Sequence, residues 1–327
     1  MSSDKQLTRV SFVMPVLNEE KHLETAVSSI FEQKGMKKDQ IEVILALGPS
    51  TDNTNMVAES LKSKFPVKLV QNPSGKTPTG LNLAIQEAKN EVIVRVDAHS
   101  QLSPDYTQLA LEILNQTGAA NVGGVMKAVG ETPFQKAVAW SYGSRLGLGG
   151  GAYHIGGQAG PSDSVYLGVF RKEILEKLGG FNEKMARGQD WELNLRIRES
   201  GEVVWFDPRL EVTYHPRSSF KALVKQFFGT GYWRAELTIN HPNKANFRYF
   251  APPILVLLTL FGLVSTYLGW FTPLGLLPLL GYLGIVLLAA LFSPKQSLAT
   301  RFAILLVLPA MHFSWGTGFI AGLFHTQ

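Results

Sequence analysis

The sequence predicts an α/β domain on a mostly parallel sheet, followed by a tail of membrane-spanning helices. Three observations carry this expectation. Short β-branched, apolar runs alternate with segments of helical period from Val10 to His215. One of those runs, Val92–Val96, ends abruptly in Asp97-Ala98-His99. Beyond Arg248 the charge nearly stops and three long apolar stretches follow.

With 327 residues and this division of charge, the chain is expected to hold more than one region. Residues 1–215 read as the α/β domain, 216–250 as an amphipathic juxtamembrane segment and 251–327 as a membrane domain. There is no cysteine, which excludes a disulfide framework and a Cys-based zinc site. The net charge of +5 is modest. Lys and Arg thicken just before the apolar region instead of clustering on one aromatic-rich module. That favours a membrane surface over a nucleic acid. Met1–Val10 is polar with no apolar core, so no signal peptide is expected and the N-terminal region should stay cytoplasmic.

Val10–Pro15 reads as a strand, and Leu23, Ala26, Val27, Ile30 and Phe31 fall at helical spacing after it. Ile41–Leu47 is a second strand, followed by the turn Gly48–Thr54 and a helix carrying Val57, Ala58 and Leu61. Val67–Val70 is a third strand, Asn72–Pro78 a loop and Gly80–Ala88 a third helix. Then comes Val92–Val96. Gln101–Thr117 reads as a helix beginning near Pro104, Asn121–Val129 as a strand and Val165–Arg171 as another. Gly143–Pro161 is so rich in glycine that a mobile loop is expected. Ile174–Leu178 is a helical turn closed by Gly179-Gly180, and a helix starts near Asp190. Val203–Phe206 and Val212–His215 read as two short closing strands.

Candidate chemistry sits where strands end, since ligands of open α/β sheets bind beyond the carboxyl ends of strands. Asp97 and His99 can point at one divalent cation, or Asp97 can simply close an Asx turn. No G-x-G-x-x-G follows the first strand; Pro15-Val16-Leu17-Asn18-Glu19 stands there instead. Asn18 and Glu19 can hydrogen-bond a base or ribose, or Asn18 can cap the following helix. Asp190 can cap its helix or take a proton from an attacking hydroxyl. Lys76 follows Gly75 without the rest of a P-loop and reads as solvated, though within reach of a phosphate. His215 reads as a structural histidine, or one reaching the metal.

Taken in order, Pro15-x-x-Asn18-Glu19, Ser50-Thr51-Asp52-Asn53-Thr54, Asn72…Asn82, Asp97-Ala98-His99 and Gln189-Asp190-Trp191 resemble family 2 glycosyltransferases of the GT-A fold. The likeness covers roughly residues 8–235 and is greatest to the succinoglycan-type members with a membrane tail. It implies a nucleoside-diphosphate sugar donor and inversion at the anomeric carbon. It implies that Pro15, Val16, Asn18, Glu19 and Asp52 line the nucleotide, with Asp97 and Ala98 at the diphosphate; Lys76 joins the donor candidates through its Gly-Lys loop alone. Asp97 and His99 stand where the family's Asp-x-Asp holds a cation. Asp190 stands where the family has its catalytic base. Imidazole suits Mn²⁺ better than Mg²⁺, so manganese is favoured without excluding magnesium. Ala46-Leu47-Gly48 replaces an acid pair the family often carries, which leaves the nucleotide open. On the acceptor side the candidates are Gln189, Trp191, Gln226, Trp233 and Arg234. The Gln-x-x-Arg-Trp pattern of processive synthases is absent, so one sugar per encounter is expected.

Ile254–Phe271, Leu274–Phe292 and Phe302–Phe324 contain no acid or lysine. Each is long enough to cross a hydrocarbon core of about 30 Å. Basic residues before the first span, and Lys295 and Arg301 between the second and third, place the α/β domain on the cytoplasmic side. Gly269–Pro273, the first link, carries no charge. Ser218–Leu237 sets Phe220, Leu223, Val224, Phe227 and Phe228 beside Lys221, Lys225 and Arg234, as in a helix lying in the interface. The acceptor expected there is a polyprenyl-diphosphate-linked sugar or glycan. The alternatives are direct transfer to a polyprenyl phosphate, or a catalytically silent nucleotide-sugar sensor or assembly subunit.

Overall fold

A computed structural model describes residues 6–148, 150–185, 187–270 and 274–324. It divides into two compact units: the chain up to Lys127 with Gly151–Tyr214, and Ala128–Gly150 with the chain from His215.

The first unit is built on a nine-stranded sheet. Its opening half alternates strand and helix: β1 (Val10–Val16), α1 (Leu23–Phe31), β2 (Ile41–Leu47), α2 (Thr54–Leu61), β3 (Val67–Gln71), α3 (Thr77–Glu87) and β4 (Val92–Arg95). These four strands are parallel, in the order β3-β2-β1-β4. Period-2 alternation sends Val10, Phe12, Met14 and Val16 into one core with α1, and Val13 into a second core with α3. Both faces are covered, so the strands read as near-continuous apolar runs.

The second half departs from expectation. After β5 (Ser100–Leu102) and α4 (Tyr106–Thr117) come β6 (Asn121–Ala128), α5 (Pro133–Tyr142), α6 (Arg145–Leu148), α7 (Ala152–Ile155) and β7 (Gly160–Pro161). Then follow β8 (Tyr166–Arg171), α8 (Lys172–Lys177), α9 (Gln189–Glu199) and β9 (Val204–Tyr214). β8 runs antiparallel to both β4 and β6, and β5 and β7 run antiparallel to β9. The sheet is therefore mixed. A strand's apolar pattern reports which faces are covered and says nothing of its direction.

The two closing strands are one. Asp207-Pro208-Arg209 looks like a turn in sequence, yet it runs within β9. Buried Asp207 is gripped there by Arg209, whose Nε and Nη2 donate at 2.9 and 2.7 Å. The glycine-rich loop is also partly helical, forming α6 and α7. A side chain at Gly147 would strike the Ser141 carbonyl, so glycine there serves close packing. Gly149 lies outside the described residues.

In the second unit, α5 and α6 join α10 (Phe220–Asn240), α11 (Ala251–Tyr267), α12 (Leu277–Leu291) and α13 (Leu298–Leu323). Among the described residues three helices are long and apolar enough to cross a membrane: Phe247–Tyr267, Leu274–Leu291 and Leu298–Leu323. The part of the first link at residues 271–273 lies outside the described residues. Leu257, Leu260, Leu280 and Leu288 face outward, an arrangement lipid stabilises and water does not. α13 is the central helix. Its Gly318 and Gly322 let the Phe228 and Tyr232 carbonyls of α10 approach, and Gly231 of α10 does the same for the Trp315 carbonyl. Small residues give membrane helices this backbone contact. Within the unit, His312 Nδ1 meets the Tyr282 hydroxyl at 2.9 Å and Nε2 the Leu146 carbonyl at 2.8 Å. These bonds tie α12 and α6 to α13.

Gly318→Val is expected to destabilise the protein by about 2 kcal/mol or more, because the added carbons overlap fixed backbone. Gly284→Val should be near neutral, since the space around Gly284 is open. Thermal unfolding in detergent separates the two.

Candidate active site

The carboxyl ends of β1 and β2 are laced together by their loops. Asn18 adopts a left-handed conformation, φ +56°, which Asn tolerates better than most residues. Its Oδ1 accepts from the Thr51 amide at 2.8 Å, and its own amide donates to Ser50 Oγ at 3.0 Å. It caps no helix: α1 starts at Leu23, after His22. The Glu19 amide donates to Thr54 Oγ1 at 2.7 Å, and Glu20 Oε2 accepts from the Asn53 amide at 3.0 Å. Asp52 accepts from the Thr54 amide at 3.0 Å and from the Thr54 hydroxyl. That hydroxyl, foremost, holds the Asp52 carboxyl below its ordinary range. The lowered pKa means the ionised form supports this turn at neutral pH, and the support is lost as pH falls through the lowered value.

This lacing orients Glu19. Its Oε1 lies 2.9 Å from His99 Nδ1. A carboxylate brings no proton, so Nδ1 carries it and the ring's other nitrogen is the basic one. Tyr214 packs edge-on against the His99 ring, centroids 5.7 Å apart. Tyr166 joins the group, its hydroxyl 3.3 Å from Ser100 Oγ. Burial, then the Asp97 charge, push its phenol pKa well up, so it stays a proton donor.

Pro15 and Val16 end β1, level with Ala46 and Leu47 of β2, and Ala98 is buried. Lys76 follows Gly75, φ +65°, and its side chain is exposed. Its carbonyl accepts from Nδ2 of buried Asn72 at 3.0 Å, which fixes the loop entering α3.

Asp190 arrives from the other direction. Gly188, φ +79°, is the N-cap of α9, so Asp190 sits inside the first turn and not at the cap. Its carboxylate meets Arg95 Nη1. Nη2 of the same guanidinium donates to Asp97 Oδ1 at 3.0 Å. The Arg95 side chain is 4% exposed, Asp97 19% and Asp190 37%. One buried cation thus brings Asp97 and Asp190 into one site. Arg95 was not among the sequence candidates. Its signal was available: an arginine inside Val-Ile-Val-Arg-Val must find carboxylates.

The loop before Asp190 is clamped. Asn82 of α3 accepts from the Phe181 amide at 2.8 Å and returns Nδ2 to the Phe181 carbonyl at 2.8 Å and to Glu183 Oε1 at 2.9 Å. Arg196 of α9 donates to the Leu178 and Gly180 carbonyls at 2.7 and 2.8 Å while pairing with Glu192. Gln189 is buried and Trp191 half-buried beside Asp190 in sequence.

Gln226, Trp233 and Arg234 belong to the second unit. There Gln226 Nε2 donates to the Tyr142 hydroxyl at 3.1 Å, Trp233 lies edge-on to Tyr232, and Arg234 stacks 4.5 Å from the Tyr249 ring centre. His215 opens the second segment of that unit. Among the described residues no three His, Asp or Glu side chains converge as a metal cage.

A family profile described as Glycosyl transferase family 2 matches residues 11–179. The chain is 30% identical to the succinoglycan biosynthesis protein ExoA of Rhizobium meliloti (strain 1021), over 98% of this chain and 96% of that protein. It is 26% identical, over 68% of its length and 71% of the relative's, to a Methanococcus voltae protein. That relative is named dolichyl N-acetyl-alpha-D-glucosaminyl phosphate 3-beta-D-2,3-diacetamido-2,3-dideoxy-beta-D-glucuronosyltransferase. The fold is similar to that of the mannosyltransferase PcManGT from Pyrobaculum calidifontis, solved with GDP-Man and Mn²⁺. The TM-score is 0.61 and the identity 20%, covering 98% of this chain and 88% of that one.

Two predictions follow from the geometry. Asn82→Ala should lower stability by roughly 1–3 kcal/mol, since it strands a buried amide and carbonyl. It should also lower turnover by loosening the segment before Asp190, measured by thermal unfolding alongside initial rates. Hydrogen exchange of the Ser50–Thr54 amides should quicken below the ordinary carboxylate range in the native protein, and Asp52→Asn should remove that acid step.

Proposed function

Since the chain belongs to glycosyl transferase family 2 and is a glycosyltransferase, we propose that it moves a sugar with inversion from a nucleoside diphosphate to a lipid-linked glycan. The observation that carries this reading is the single Arg95 guanidinium joining Asp97 and Asp190 beyond the end of β4.

The residues fit the roles as follows. Pro15, Val16, Asn18, Glu19 and Asp52 border the nucleotide where the β1 and β2 loops meet, with Lys76 and Ala98 nearer the phosphates. Asp190 accepts the proton of the acceptor hydroxyl as that oxygen attacks the anomeric carbon. A single displacement needs one base, not the two carboxylates of a hydrolase. Asp97 and His99 supply one carboxylate and one imidazole. With donor phosphate oxygens they make a donor set that suits Mn²⁺, and Mg²⁺ less well. A cation there, when bound, neutralises charge on the departing diphosphate. The Glu19 bond keeps the His99 ring turned with Nε2 as its basic nitrogen.

The membrane helices bear on the acceptor. A chain with three apolar spans works at a lipid surface, and the Methanococcus relative's name carries a dolichyl-phosphate-linked sugar. Phe220 and Phe228 of α10 are exposed beside Lys221 and Lys225, which suits a helix in the headgroup layer. Arg217, Lys244 and Arg248 before the first span, with Lys295 and Arg301 between the later two, favour a cytoplasmic catalytic unit. Gln189 and Trp191, and Gln226, Trp233 and Arg234, are the candidates for acceptor contact.

The test is a screen of nucleotide release from sugar donors with Mn²⁺ and with Mg²⁺, with and without membrane lipid extract. Turnover that rises with lipid extract is the expected result. A preference for free soluble sugars, with no gain from lipid, would sink the acceptor assignment. Asp190→Asn should cost about 10²- to 10⁴-fold in turnover without loss of nucleotide binding.

A further inference from the structure

Asp190 as found here is not ready to act as a base. Its carboxylate is ion-paired with a guanidinium, which stabilises it as a charge partner instead of leaving it to an acceptor hydroxyl. The same guanidinium also holds Asp97. Its Nε and Nη1 are buried with no hydrogen bond among the described residues, Nη1 meeting Asp190 as an ion pair alone, while Phe181 covers the group at 5.8 Å. So Arg95 serves two acids on one edge and keeps an unsatisfied donor. A planar fork of this kind binds phosphate at least as well as carboxylate.

Charge decides what moves. Glu19, Asp97 and Asp190 put three carboxylates around the strand ends, and Arg95 is the guanidinium that touches two of them. A diphosphate entering beside Asp97 brings further negative charge to the same place. Arg95 is the last residue of β4 and its side chain is buried. Asp190 is the more exposed of its two partners and can be resolvated when released.

We propose that Arg95 is a charge-exchange residue, whose guanidinium pairs with Asp190 in the donor-free protein and transfers to the donor diphosphate, freeing Asp190 only once donor is bound. This rests on the donor reading above. It makes Arg95 a positioning residue toward Asp190 and a binding residue toward the diphosphate. It also makes donor the first substrate to bind productively, since the base becomes available only in the donor complex.

The exchange leaves a thermodynamic signature that needs no turnover. Binding a diphosphate must break the Arg95–Asp190 pair, so removing the Asp190 charge should tighten binding. Calorimetry with UDP and with GDP, each at fixed Mn²⁺, measures it in four proteins: native, Asp190→Asn, Arg95→Gln and the double variant. Asp190→Asn should bind the preferred nucleotide roughly three- to tenfold more tightly than native. In the Arg95→Gln background the same change should bring a clearly smaller gain, because no pair remains to be broken. Simple repulsion between Asp190 and the diphosphate predicts the reverse: an equal or larger gain once Arg95 no longer screens it. That outcome, or no tightening in Asp190→Asn, overturns the proposal. If Arg95→Gln does not fold, Arg95→Lys replaces it, as one ammonium cannot span two carboxylates as the fork does. The gain should shrink there too. Native protein that binds neither nucleotide defeats the donor reading itself, whereas native binding without tightening in Asp190→Asn defeats only the exchange.

Discussion

A guanidinium with almost no access to water cannot remain in a β-branched strand without carboxylates to neutralise it. Leaving such a charge uncompensated costs on the order of 3–5 kcal/mol. Arg95 meets that requirement with two acids from distant parts of the chain, Asp97 two residues on and Asp190 from α9. The constraint runs both ways. To satisfy Arg95, α9 must begin where it does, and that places Asp190 at the mouth of the parallel half of the sheet. Folding stability and the juxtaposition of two acids thus come from one cation.

The rest of the first unit reads as support for that meeting. Parallel strands β1, β2 and β4 end side by side, and their loops are stitched by Asn18, Ser50, Thr51 and Thr54 before any ligand arrives. On the far side, Asn82 and Arg196 pin the chain from Leu178 to Glu183 and so fix the approach to Gly188. Stitching of this sort holds the two loops in one arrangement. The second unit supplies apolar helices packed through glycine, with outward leucines that suit lipid.

Much of this was legible from residues alone. Ile41–Leu47 is recovered as β2, and the apolar spacing of Leu23, Ala26, Val27 and Ile30 marks the buried face of α1. What escaped has physical causes. Strand direction leaves no trace in an apolar pattern, so the antiparallel half was missed. Asp207-Pro208-Arg209 has turn chemistry that an internal ion pair overrides within β9. Glycines at the Gly147 turn signal close packing as readily as mobility. Asn18 and Asp190 both looked like caps, and neither is one: a left-handed φ and a glycine cap at Gly188 displaced those roles. Arg95 belongs to no motif, and only its place in an apolar strand marks it. A lone charge in an otherwise apolar strand is as informative as the motif it precedes.

In the proposed reaction the departing diphosphate lies against Arg95 and Asp97 while the acceptor oxygen approaches Asp190. A crystal structure with an unreactive nucleoside-diphosphate sugar and Mn²⁺ tests this most directly. The account predicts the diphosphate in contact with the Arg95 guanidinium and the anomeric carbon turned toward an unpaired Asp190 carboxylate. A donor bound away from Arg95, with the Arg95–Asp190 pair still closed, would contradict it.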